Sequence, residues 1–172
     1  MNKRADTPKP ATTDQAIETV SSQAEIKADT IIKIIPTADL QFYIYTYAPT
    51  SWISVTSHSS LPPLSLWTFH LLVEGSSVFY HIRSYPDSHL YMTYVREDKV
   101  LLGAYSGNDD QKWILSPEVV DGREIVYICN IVRGGSYLTV RLPLSNGAGI
   151  LTRSKWNDSV QHFILRSMGE TP

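Results

Sequence analysis

From residue 37 onward, short runs of alternating apolar and polar positions are separated by clusters of Gly, Pro, Ser and Asn. Residues two apart in a strand point to the same side, so such runs predict half-buried β-strands. "SPEVVDGREIVYICNI" sets Asp121-Gly122 between two β-rich runs. Both residues tolerate positive φ, which predicts a tight hairpin there. "LLVEGSSVFYHI" predicts another around Glu74-Gly75. No long stretch carries helical periodicity, so the expected class is all-β.

Residues 1–36 have a different texture. They are rich in Thr, Ala, Ser, Asp, Glu and Lys and contain no aromatic residue. A segment with so little to bury gains little from being ordered. Thr13 followed by acidic residues resembles a helix start, and Ile17, Val20, Ala24 and Ile26 roughly share a helical face. The expectation is a disordered or partly helical N-terminal tail over 1–36 and a folded domain over 37–168.

Within the domain one phrase recurs. "LSLWTFHLL", "DQKWILSPE" and "VQHFILRSM" place Trp67, Trp113 and Phe163 in register, at intervals of roughly 40–50 residues. "FYIYTYAPTSWISV", "FYHIRSYPDSHLYMTY" and "VYICNIVRGGSYLTV" align their leading tyrosines Tyr43, Tyr80 and Tyr127. Their second strands then align as Trp52–Val55, Tyr91–Tyr94 and Tyr137–Val140. These windows predict three tandem β units at about 40–76, 77–122 and 123–168. Strand alternation points Gln111 inward with Trp113, and Gln161 with Phe163, leaving Lys112 and His162 outward. An inward amide must be hydrogen-bonded, and three rings meeting on an axis would close a barrel without exposed edges.

A threefold β repeat ending in Gln-x-aromatic resembles the ricin B-type β-trefoil lectins across about residues 37–168. The resemblance is carried by "SYLTV", "LYMTY" and "WISV" with "SGNDDQKW" and "NDSVQHF". It implies a β-trefoil: three pseudo-repeats, a six-stranded barrel and a cap of hairpins. It also implies a carbohydrate-binding, lectin-type module without catalytic activity, its partners glycans or glycoproteins. Sugar pockets in this family use an acidic residue late in the second strand, an aromatic platform on the third and a polar residue beside the glutamine. By that alignment the acidic position falls on Ser54, Thr93 and Thr139, so the carboxylate is missing. The platform falls near Gly103 and Arg153, and repeat one is expected to have a curtailed third strand.

The residues left to carry binding are Thr93, Tyr105, Asn108, Asp110 and Gln111 in repeat two, with Trp156, Asn157 and Asp158 in repeat three. A carboxylate accepts paired hydroxyl hydrogen bonds and a ring stacks on the apolar face of a sugar. Trp67, Trp113, Gln161 and Phe163 are the expected structural core motif. The competing reading takes "SGNDD" and "KWND" as turns chosen for backbone geometry. The competing function is a protein-binding trefoil, such as a protease inhibitor, acting through its surface loops.

Composition narrows this further. With 42% hydrophobic and 19% charged residues the 172-residue chain reads as an ordinary globular protein. A net charge of −2 gives no reason to expect nucleic acid as partner. The longest apolar runs are too short to span a bilayer, so no membrane insertion is expected. The lone Cys129 cannot form an internal disulfide, which together with the lack of a signal-like stretch suits a cytoplasmic location and leaves unconventional secretion open. Asn157-Asp158-Ser159 matches a glycosylation acceptor, relevant only in a secreted chain. The five histidines lie in no nucleophile motif or metal-ligand spacing, so no enzyme, metal site or cofactor is expected.

Overall fold

The computed structural model describes residue 26 and residues 30–57, 64–87, 89–96, 98–132, 135–156 and 158–168. Most of the expected tail lies outside the described residues.

Twelve strands follow one another: β1 (Ile31–Pro36), β2 (Tyr43–Tyr45), β3 (Ser54–Thr56), β4 (Leu66–Glu74), β5 (Ser77–Tyr85), β6 (Leu90–Val95), β7 (Lys99–Ala104), β8 (Trp113–Val120), β9 (Arg123–Asn130), β10 (Ser136–Val140), β11 (Ile150–Arg153) and β12 (Phe163–Ser167). Two 3-10 turns, Asp109–Gln111 and Ser159–Gln161, precede β8 and β12. There is no α-helix among the described residues.

The local chemistry of the turns sets the hairpins. Asp121 and Gly122 both have positive φ, 50° and 75°, which matches the right-handed twist of β8 and β9. Between β4 and β5 the two turn residues are Gly75 and Ser76 rather than Glu74 and Gly75, because Glu74 pairs with Ser77. Gly75 has φ of 62° and supplies the positive angle needed at the first turn position.

Antiparallel pairings run β1–β4, β4–β5, β5–β8, β8–β9, β9–β12 and back from β12 to β1. The ring closes, so these six strands have no free edge where they meet. The other six form the hairpins β2–β3, β6–β7 and β10–β11. Their second strands bond one another around the pseudo-threefold axis: Ile53 N donates to Val100 O at 3.0 Å, and Ile150 N to Ile53 O at 2.9 Å. Barrel and cap share one core in which Trp67, Trp113 and Phe163 are each 0% exposed. This is a β-trefoil.

The pairings correct the reading of the first repeat. β1 is a barrel strand whose Ile32, Ile34 and Ile35 are core residues, so the folded domain includes Ile31–Pro36 and the tail does not extend to 36. Half-buried Ile26 also packs against the core. Tyr43 belongs to β2 and matches Tyr91 in β6 and Tyr137 in β10, not Tyr80 and Tyr127. "WISV" therefore runs into the third strand of repeat one rather than its second, and at three residues this strand is shorter than β7 and β11, curtailed as expected. The sequence misleads here because β1, "IIKIIP", has Ile32 in the place of Tyr80 and Lys33 in the place of Tyr127, so it lacks the tyrosines that lead the other two windows.

Candidate functional site

The two motif glutamines have the same geometry, and it is not that of a strand. Gln111 sits in the 3-10 turn, where its Nε2 donates to Thr93 Oγ1 at 3.0 Å and Ala104 O at 2.7 Å. Its Oε1 accepts from Ser106 N at 2.8 Å. Gln161 repeats this with Thr139 Oγ1 (3.0 Å), Ser154 O (2.8 Å) and Trp156 N (2.6 Å). Each amide staples the strand leaving the cap to the turn that re-enters the barrel. Thr93 and Thr139 each also donate to the backbone oxygen two residues earlier, Tyr91 O and Tyr137 O, at 2.9 Å. Both threonines are buried. Their hydroxyls serve the staple, and a threonine meets that need where the resemblance calls for a carboxylate.

The sequence-selected candidates therefore separate. Thr93 and Gln111 are interior. Tyr105 is 60% exposed and leans on the flank of the barrel, its ring 5.0 Å from Tyr91 and 5.4 Å from His81. Asn108 is exposed, and its backbone N–H donates to Ser106 Oγ at 3.2 Å. Asp110 is half-buried, accepts from Ser106 Oγ at 3.0 Å and faces a different opening. In repeat three Trp156 is 54% exposed, and Asp158 Oδ1 accepts from Ser159 Oγ at 3.1 Å. Asn157 lies outside the described residues.

Two middle residues of the motif are less open than alternation predicts. Lys112 is clasped between Glu74 and Asp109 at 2.8 and 3.0 Å, which holds its ammonium above the ordinary lysine range. His162 is buried, and its Nε2 shares a 2.8 Å hydrogen bond with Tyr127 Oη. The flank of the barrel is covered by such side chains, which is why an outward-facing histidine loses its water. Cys129 is buried in β9, and that burial pushes its thiol up.

The opening that Asp110 faces is a cleft of about 570 Å³ over the cap. Trp52 forms one wall, 52% exposed and joined to Leu101 by a β-bridge. The turn between β6 and β7 forms another with Val95, Arg96 and Lys99, and Val132 comes from the third repeat. Lys99 Nζ lies 5.2 Å from the centroid of the Trp52 ring. Tyr94 lines the cleft at 5% exposure, and its hydroxyl has no hydrogen-bond partner among the described residues. A flat indole, two cations and one carboxylate thus face the same space. The sequence points to Asp110 here and not to Trp52, because alignment by residue type puts "WISV" in the second strand. The signal in the sequence is the alternation of Trp52 with Ile53, which sets the indole on the opposite side from a core residue just before β3.

Among the described residues no three of His, Cys, Asp and Glu gather as a metal cluster. No helix of the described residues is long and apolar enough to cross a membrane.

The chain matches no protein-family model and no curated protein. Solved structures do match. A mosquitocidal holotoxin superposes with a TM-score of 0.71 at 12% identity over 84% of this chain, which spans 18% of the toxin. The Polyporus squamosus lectin, bound to the human-type influenza-binding epitope Neu5Aca2-6Galb1-4GlcNAc, gives 0.67 at 16% identity over 83% of this chain and 50% of its own. BEL β-trefoil gives 0.65 at 13% identity over 83% of this chain and 95% of its own. Identities this low speak to the fold alone, and the fold they share with this chain is the β-trefoil.

Proposed function

We propose that this domain is a non-catalytic, lectin-type carbohydrate-binding module whose saccharide sits in the cleft between Trp52 and Asp110. One observation carries the reading: a half-exposed indole and a carboxylate line the same open cleft. A pyranose offers an apolar face that stacks on a ring and hydroxyls that pair on a carboxylate. The Polyporus squamosus lectin, which shares the fold, supports this class of ligand. The Gln-x-aromatic turns at Gln111 and Gln161 support kinship with the ricin B-type lectins.

A glycan array probed with wild type, Trp52→Ala, Asp110→Ala and Tyr105→Ala tests the site. Binding should be lost in the first two variants and kept in the third, because Tyr105 stands on the barrel flank outside the cleft. Loss only in Tyr105→Ala would move the site to that flank. The rival protein-binding reading is favoured by the end of the β4–β5 hairpin, where Leu71, Val73 and Val78 are exposed. A blank array together with inhibition of a protease panel would support it.

A further inference from the structure

Resting on that reading, we infer that the saccharide taken by the cleft is acidic, a pyranose bearing a carboxylate or sulfate. Among the described residues that line the cleft, the charges are segregated. Arg96 and Lys99 stand on the β6–β7 turn, while Asp110 comes from the loop before β8. Asp98, in the same turn as the two cations, lies 3.9 Å from Arg153 of β11. Asp110 Oδ1 is engaged by Ser106 Oγ. No ion pair holds Arg96 among the described residues, and its planar fork matches two oxygens of a carboxylate or sulfate. An anionic group is repelled from the Asp110 end and drawn to the Arg96 end. Charge therefore fixes which way round the ring lies.

Lys99 sharpens the choice. Its ammonium lies over the Trp52 ring, the surface a sugar would stack on. A neutral sugar must displace this cation and offers only neutral hydroxyls in return. An acidic sugar offers the ammonium a charge-assisted hydrogen bond, which is stronger than one to a neutral hydroxyl. The chain's net charge of −2 gives no general attraction for polyanions, so selectivity has to arise in the cleft.

Titration calorimetry on the full chain with sialyllactose, galactose sulfate and lactose tests this, using wild type, Arg96→Gln, Lys99→Met and Trp52→Ala of verified melting temperature. Wild type should bind at least one acidic sugar about tenfold more tightly than lactose, and the two acidic probes tell carboxylate from sulfate. Arg96→Gln should bring the acidic sugar to within about twofold of lactose, and Lys99→Met should leave lactose binding equal or stronger. Trp52→Ala should abolish binding of every sugar bound by wild type. Equal binding of lactose and both acidic sugars, or a preference surviving Arg96→Gln and Lys99→Met, overturns the acidic assignment and leaves the lectin reading standing. Binding of neither lactose nor any array glycan overturns both. Heparin binding that ignores Trp52→Ala and vanishes in high salt also overturns the assignment, as mere polyanion attraction.

Discussion

Thr152 Oγ1 is buried with no hydrogen-bond partner among the described residues. The hairpin pairings put it in the same place as Val55 and Leu102, opposite Leu138 where those face Ile44 and Met92. Two repeats out of three thus fill this position with hydrocarbon. Thr152→Val keeps the shape and removes the stranded hydroxyl, so it should stabilise by about 1 kcal/mol. A rise in the urea midpoint at unchanged m-value would show it. His81 is a second residue whose chemistry burial decides. Burial holds its imidazole below the ordinary histidine range, helped by His70, Lys112 and Arg83 and opposed by Glu74. Its Nε2 has no hydrogen-bond partner among the described residues, and the rings of Tyr91 and Tyr105 pack against the imidazole. The unfolded chain takes up this proton first as pH falls through 6.5, the group's ordinary value, while the folded chain resists it. His81's contribution is therefore complete above pH 6.5 and declines as pH drops toward the lowered folded value. Urea titrations at pH 7.5 and 5.5 should show less loss of stability in His81→Phe than in wild type.

At the scale of the element, the 3-10 turns and their glutamines are the units that repeat. Gln111→Leu would leave Ser106 N, Ala104 O and Thr93 Oγ1 without the partner each now has. With about 1–3 kcal/mol for each buried group left unpaired and partial rescue by solvent, the cost should be roughly 3 kcal/mol. Thermal unfolding of Gln111→Leu and Gln161→Leu measures it, and the two should agree because their bonds do. The sequence pointed to these two glutamines and to burial of the rings beside them. It misjudged how the amides reach their partners, because strand alternation describes a strand and the amide is delivered by a turn. It also shifted repeat one by a whole strand. The three-dimensional match is plain on the barrel flank, where Lys33 Nζ lies 4.1 Å from the Tyr43 ring, as His81 lies 5.4 Å from Tyr91 and Tyr127 5.9 Å from Tyr137. Lysine, histidine and tyrosine in equivalent places share a contact but no letter, so no alignment of residue types could pair them. The cleft was hidden for a related reason: Trp52, Arg96, Asp110 and Val132 come from separate stretches spread over all three repeats, and no window of sequence holds them together.

For the whole molecule the decisive pairing is the one that joins its two ends. β1 bonds β12 along its length, from Ile32 opposite Ser167 to Pro36 opposite Phe163, and β4 on its other side. A chain lacking residues 1–36 would open the ring between β12 and β4 and expose the edges of both. It would also lose Ile32, Ile34 and Ile35 from the core. At about 1.5–3 kcal/mol for each fully buried side chain, these isoleucines alone supply roughly 5–9 kcal/mol. The net stability of a domain is itself only about 5–15 kcal/mol, so losing the strand and its burial together should abolish cooperative folding. Such a truncation should show no sigmoidal urea transition and should bind a hydrophobic dye in buffer. Ile34→Ala tests the same packing inside an intact chain: it should cost about 2–5 kcal/mol while leaving a single transition. A truncated chain that melts as sharply as wild type, with Ile34→Ala near neutral, would mean that β1 lies against a barrel complete without it.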